Sequence, residues 1–209
     1  MKKTLSQWFC LAGSLQIVFY LLQDFVGAYY YPNYNRFAQA VSDLTAVNAP
    51  SYSVAVRFTQ IYALLSVVGL SMLCTFIKPK LNRQLRIGIY LFTIMNWISC
   101  IGYALFPLSN SGFSDSTQDF IHVYIVTVMV VVLSIISLIF IIIGGLKEKQ
   151  KHIAYLSLIA LCLMFIGAIG SGIVPKEYFG VIERFSTYSA VVFGSTLCVY
   201  GWLLKLKKE

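Results

Sequence analysis

Long apolar runs alternate with short polar connections along the whole chain. Six runs reach the length at which a helix crosses a hydrocarbon core, about 20 mostly apolar residues. They are Trp8–Val26, Val54–Ile77, Leu85–Phe106, Ile121–Ile143, Ile153–Val174 and Phe185–Leu204. The runs are continuous and lack the residue-by-residue alternation of barrel strands, so they predict helices. The expected fold is an all-α, polytopic membrane helical bundle of six transmembrane helices in one domain spanning residues 1–209. Composition agrees. Of 209 residues, 58% are hydrophobic and 11% charged, against roughly a quarter charged in soluble domains. Such a chain has too much apolar surface for a soluble globule and too little polarity for disorder.

A net charge of +8 would fit a nucleic-acid partner if the basic residues were clustered for one, but their placement follows the connections instead. Twelve of the sixteen Lys and Arg fall on one side of the predicted bundle: Lys2, Lys3, Lys78, Lys80, Arg83, Arg86, Lys147, Lys149, Lys151, Lys205, Lys207 and Lys208. The other side holds Arg36, Arg57, Lys176 and Arg184. Positive residues concentrate in the cytoplasm, which predicts both termini inside, as an even number of spans requires. No nucleic acid is needed to explain the charge; anionic lipid is the expected counterpart. The start, Met1-Lys2-Lys3 before an apolar run with Val26-Gly27-Ala28 as a passable cleavage site, resembles a signal peptide. The run is longer than a signal core and carries Asp24, so an uncleaved first span is expected. The five cysteines all lie inside apolar runs, without the close spacing of a zinc or redox site.

The spans differ in character. The fourth is mainly Val, Ile and Leu and is expected to face lipid over much of its surface. The fifth and sixth carry small residues four apart (Gly167 with Ser171, Ala168 with Gly172; Ser186, Ala190, Gly194, Cys198), which let helix backbones approach closely. Asn96 falls near the middle of the third span, where an amide is expected to bond another helix. Pro107 and Pro175 sit where they stop helices on the outer side.

Ionisable residues at membrane depth are costly and mark candidate sites. Here they gather on the outer side: Asp24, Asp43, Arg57, Asp115, Asp119, His122, Glu183 and Arg184. Asp119 and His122 are three apart and share a helix face, so the carboxylate could orient the imidazole as a general base. Equally, Ser116-Thr117-Gln118-Asp119 has the form of a helix-start capping box. No metal centre is predicted, since His152 is on the inner side and cannot join His122, and no motif fixes the carboxylates for a hard cation. Ser42, Ser109, Ser111 and Ser114 lack a nucleophile elbow. Arg57 and Arg184 are expected to neutralise Asp24 and Glu183 or to grip lipid phosphate. The run Tyr29-Tyr30-Tyr31-Pro32-Asn33-Tyr34 reads as an interfacial aromatic belt. After it, Phe37, Ala38, Val41, Leu44 and Asn48 predict a short amphipathic helix on the outer surface.

Several segments occur together in a recognisable order: Gln39-Ala40-Val41-Ser42-Asp43-Leu44 with Pro50, Phe106-Pro107 ahead of His122, and Gly180-Val181-Ile182-Glu183-Arg184. In these the chain resembles the bacterial six-span membrane family catalogued as domain of unknown function 998. The resemblance implies a bacterial plasma-membrane protein and one outward-facing site of Ser42, Asp43, His122, Glu183 and Arg184, but no activity. Membrane hydrolases of the alkaline ceramidase type need three histidines for zinc, which two histidines on opposite sides cannot supply.

The functional expectation is a binding or accessory protein whose outer site takes a lipid headgroup, an amphiphile or a partner membrane subunit, with enzyme activity left open. Ser42, Asp43, Arg57, Glu183 and Arg184 are the expected ligand-binding residues, with no cofactor. The alternatives are a membrane enzyme on a lipid-linked substrate, with His122 as base and Asp119 as its partner, and a small-molecule or ion carrier.

Overall fold

The structure, a computed structural model, describes residues 3–78, 80–112 and 114–204; Lys2, Lys205, Lys207 and Lys208 of the inner charge set lie outside the described residues. The fold is all-helical, with no strand among the described residues. Its helices are α1 (Leu5–Ser14), α2 (Gln16–Tyr29), α3 (Tyr52–Phe76), α4 (Arg83–Leu105), α5 (Thr117–Phe120), α6 (Val128–Lys147), α7 (Lys151–Gly170) and α8 (Phe179–Leu203). A π-helical stretch, Ile121–Thr127, joins α5 to α6.

Five helical rods meet both the length and the apolarity needed to cross a membrane: Leu5–Tyr29, Tyr52–Phe76, Arg83–Leu105, Thr117–Lys147 and Lys151–Gly170. The sixth, α8, has 25 residues but is diluted by Ser, Thr, Tyr and Gly. Four of its hydroxyls bond back to its own turns. Ser186 and Thr187 donate to the Glu183 carbonyl, Ser189 to that of Ser186 and Thr196 to that of Val192. The chain is a multi-pass membrane protein.

The rods pack in chain order into a closed up-and-down ring, each against the next and α8 back against α1 and α2, with α3 also touching α8 across it. The first and last described residues therefore lie at one end of the ring. There Lys3 and Gln7 donate to the Trp202 carbonyl, and Gln7 also to that of Leu204. The longer connections occupy the opposite end, called here the loop end. The first rod is not one regular helix. At Leu15 the hydrogen bonding switches to three-residue spacing (Leu15 N–H to Ala12, Val18 N–H to Leu15), a tightened turn that α1 and α2 meet across.

Close approach is set by glycines. A Cβ on Gly167 would fall 2.4 Å from the Ser186 amide nitrogen, and one on Gly170 2.6 Å from Ile182, so α7 and α8 meet closely, with Gly167 and Ser186 the members of the small-residue sets that touch. Gly194 instead faces Gln16 of α2. Two further contacts had no counterpart in the sequence reading: Gly13 against Gly69 (α1 on α3) and Gly144 against Leu85 (α6 on α4). The α6 rod is two-sided. Ser134, Ser137, Leu138 and Ile141 are buried, while Val128, Val132, Ile136, Ile139 and Ile143 are exposed, the face that lipid covers.

The ring's interior divides in two. Toward the chain-end half, Leu70, Leu73, Leu85, Ile89, Phe92, Ile141, Phe193 and Leu197 form an apolar core, with the Phe92 and Phe193 rings edge-to-face at 5.2 Å. Asn96 accepts from Ser66 at 2.7 Å, the interhelical bond expected of a buried amide. Toward the loop end, Tyr20 packs edge-on against Tyr62 and Tyr188, and Val41 and Leu44 plug the space above. The amphipathic surface helix expected around residues 37–48 is corrected here. Only a five-residue 3₁₀ turn forms, Val41–Thr45, and Val41 and Leu44 point down into the bundle. The residues on either side of the turn, Ala40 and Ala46, are extended, and the carbonyls of Arg36, Gln39 and Ala40 before it accept from side chains of Arg184 and Tyr34.

Candidate functional site

Arg184, one turn into α8, organises the loop end. Its Nε and Nη2 donate to the two carboxylate oxygens of Asp24 at 3.0 and 2.8 Å, a bidentate pair that matches the planar fork of a guanidinium. Nη1 donates to the carbonyls of Arg36, Gln39 and Gly180, and Nη2 also to the Tyr34 hydroxyl. A guanidinium has five N–H groups, and all are engaged. Tyr188, on the same face of α8 one turn later, donates to the remaining valence of Asp24. The Asp24 side chain is 1% exposed and that of Arg184 11%. This clasp holds α2, α8 and the residue 34–40 loop together.

Arg36 is different. Its Nη2 donates to the Asp24 carbonyl at 2.8 Å and lies 3.7 Å from the carboxylate, while the guanidinium covers the Phe25 ring at 4.1 Å. About a third of the side chain is exposed.

Below the clasp, a groove of about 630 Å³ runs along the side of the bundle formed by α7 and α8. Its upper end is bounded by Asp24, Arg36 and Arg184, with Phe25, Phe37 and Phe185 around them. Further down it is walled by Tyr188, Val192 and Thr196 of α8 and by Leu156, Ile159 and Leu163 of α7. From Arg184 to Thr196 is about 18 Å at helical rise, somewhat more than half a hydrocarbon core. The volume is within the range of ligand pockets, and so is the pattern of apolar walls with a few convergent polar groups.

The remaining predicted residues spread around this feature. Asp43 accepts from the amides of Ala40 (3.2 Å) and Gly112 (2.9 Å), so it caps its own turn and ties the first loop to the second. Gly112 takes a left-handed conformation, φ +79°, which a side chain would strain. Further stitches are Val47 N–H to the Leu108 carbonyl and Ser111 to the Asp43 carbonyl. Burial pushes the Asp43 carboxyl above the ordinary carboxylate value, against the opposing effect of those amides and of Arg184. Ser42 lies half-buried in the same turn, its carbonyl accepting from Thr45. Glu183 turns away from the groove, accepting from the Val41 amide at 3.5 Å and from Thr187 at 3.0 Å, within electrostatic reach of the Tyr20 and Tyr103 hydroxyls. Arg57 is exposed and pairs with no acid among the described residues; Asp24 is neutralised by Arg184 and Arg36 instead.

Asp119 and His122 are not hydrogen-bonded to each other. Asp119 is fully buried, accepting from the amides of Ser109 (2.7 Å) and Ser114 (2.9 Å) and from the Ser114 hydroxyl (2.6 Å). The capping reading holds by half, since Ser116 accepts from the Asp119 amide, but the acid folds the preceding loop in place of the Ser116 amide. The His122 Nδ1 faces the Phe106 carbonyl at 2.7 Å, the contact of an Nδ1–H tautomer, and its ring packs on Tyr103 at 4.7 Å. His122 lies in the π-helical stretch, whose slack lets Thr127 donate to the His122 carbonyl and accept from Tyr103. Among the described residues no group of three His, Cys, Asp or Glu converges as metal ligands would.

Sequence reasoning thus missed Arg36, Tyr34 and Tyr188. Tyr34 was hidden in an aromatic run, and Arg36 in a loop whose fold is not local. Tyr188 had a signal, lying four residues after Arg184 on the same helix face.

A family model described as a protein of unknown function, DUF998, matches residues 14–200. No curated protein and no solved structure matches the chain.

Proposed function

The chain belongs to the DUF998 family, and on that premise we propose that it binds a membrane amphiphile from the outer leaflet, the tail lying in the lateral groove and the headgroup at the clasp. The observation that carries this reading is the groove itself, with walls made almost entirely of apolar side chains and its only charges gathered at one end. That polarity matches a molecule with one apolar and one polar end, held at the depth where bilayer lipids change from tail to headgroup. The lysine and arginine bias supports a plasma-membrane orientation with the termini in the cytoplasm and the loop end outside, which puts the clasp at the outer interface. A carrier would need a polar route through the ring, and packed apolar side chains occupy much of the chain-end half. The enzymatic alternative would need Asp119 to prepare His122, and Asp119 is spent on loop amides.

Val192 is exposed on the groove wall, so Val192→Trp fills the groove without entering the core. Native mass spectrometry of protein released from nanodiscs is expected to show bound lipid on the wild type and less on this variant. Equal lipid retention by both sinks the reading. For orientation, Asn33→Cys is expected to react with a membrane-impermeant maleimide in intact cells and Lys149→Cys only after permeabilisation; the reverse pattern inverts the assignment.

A further inference from the structure

We infer that Arg36 is the headgroup-reading residue of this groove and that it selects amphiphiles with an anionic, phosphate-bearing headgroup; the inference rests on the amphiphile-binding reading above.

Two cations and one carboxylate line the groove, so its lining carries one surplus positive charge when Asp24 is ionised; Asp43 and Glu183 also act on Arg184 but lie outside the lining. The two arginines are not equivalent. Arg184 has every N–H engaged within the protein, and a ligand could gain a bond from it only by breaking one. Arg36 commits Nη2 alone, to the Asp24 carbonyl; its Nε and Nη1 have no acceptor among the described residues. The Phe25 ring under the guanidinium at 4.1 Å fixes its plane and shields one face, as cation–π stacking does. What remains are the N–H donors of Nε and Nη1, held at the top of an apolar trough. A phosphate oxygen accepts a charge-assisted hydrogen bond from such a donor. A zwitterionic headgroup offers the same phosphate but adds a cation, which the surplus positive charge disfavours. Charge complementarity therefore selects the anionic lipid. Asp24, neutralised by Arg184, keeps Arg36 in place without cancelling its charge.

The test compares wild type, Arg36→Gln, Arg36→Lys and Val192→Trp in nanodiscs of equal phosphatidylglycerol and phosphatidylcholine with identical acyl chains, counting lipid retained per protein by native mass spectrometry. A basic residue at a membrane surface favours an anionic lipid by about five-fold, so wild type is expected to retain phosphatidylglycerol over phosphatidylcholine by roughly that factor. Arg36→Gln is expected to bring the ratio close to one with total lipid unchanged, and Arg36→Lys to retain an intermediate preference. A ratio unchanged in Arg36→Gln, or a wild-type ratio near one, overturns the inference while leaving the groove reading standing. Retention unaffected by Val192→Trp for both lipids defeats the groove reading instead. Circular dichroism melts of each variant exclude unfolding as the cause, and an unfolded Arg36→Gln is replaced by Arg36→Met, for which the same ratio decides.

Discussion

Substituting Arg184 by Gln removes the centre of the loop-end clasp. The variant strands a carboxylate that is 1% exposed and withdraws donors from the carbonyls of Arg36, Gln39 and Gly180. Breaking a buried pair by deleting one partner typically costs about 3–5 kcal/mol, because the other charge stays buried without compensation. Arg36, 3.7 Å from Asp24, and the Tyr188 hydroxyl remain, so the lower part of that range is expected, about 3 kcal/mol. At roughly 2–4 °C per kcal/mol for a domain of this size, the melting temperature in detergent should fall by roughly 6–12 °C. Asp24→Asn should cost a similar amount, and the double variant Asp24→Asn/Arg184→Gln less than the sum, since neither charge is then left alone. Thermal melts followed by circular dichroism give the cycle, and hydrogen exchange of residues 36–40 gives the local effect. If Arg184→Gln melts with the wild type, or the two single effects simply add and loop exchange is unchanged, the clasp is not what holds this end of the bundle.

Two further outcomes follow from particular contacts. Gly167→Ala should push α7 from α8, since its Cβ would meet the Ser186 backbone at 2.4 Å, whereas the added Cβ of Gly172→Ala meets nothing closer than 3.6 Å; melts should show a loss of about 1–3 kcal/mol for the first and within about 0.5 kcal/mol for the second, and equal effects would contradict the packing. Asp43 titrates above the ordinary carboxylate value in the folded protein because it is buried, so its protonated form favours folding. Its contribution is complete below about pH 3.9, the unfolded value, and is lost as pH rises through the folded value. Wild type should therefore lose stability relative to Asp43→Asn across that rise, and a gap that is flat or moves the other way in melts at successive pH values would show that the amides of Ala40 and Gly112 outweigh burial.

The legibility of this chain differs sharply between its two halves. The positions of the long helices were readable because hydrocarbon leaves a backbone few options: each crossing must be a continuous apolar helix, and the observed rods overlap all six runs. The α7–α8 contact was readable at Gly167 for a similar reason, since small residues at four-residue spacing bring backbones together in any partner. Gly13 on Gly69 was not, because lone glycines in two distant spans announce nothing until the spans are neighbours. The same holds for the site. Burial costs mark Asp24 and Arg184 as needing partners, but sequence could not pair them across 160 residues, and it assigned Asp24 to Arg57 as readily.

What the sequence by itself determined is the membrane-spanning architecture, the charge bias and the list of ionisable groups crowded toward one end, all consequences of local composition acting against a uniform apolar solvent. Tertiary structure alone decided which of those groups are consumed in holding the fold and which keep a free valence. Hydrogen-bond capacity is finite and much of it is spent between residues far apart in the chain: Arg184 commits all five donors to α2, a loop and its own helix, Asp119 accepts three bonds from the loop before it, and Arg36, stacked on Phe25 above an apolar groove, keeps donors free.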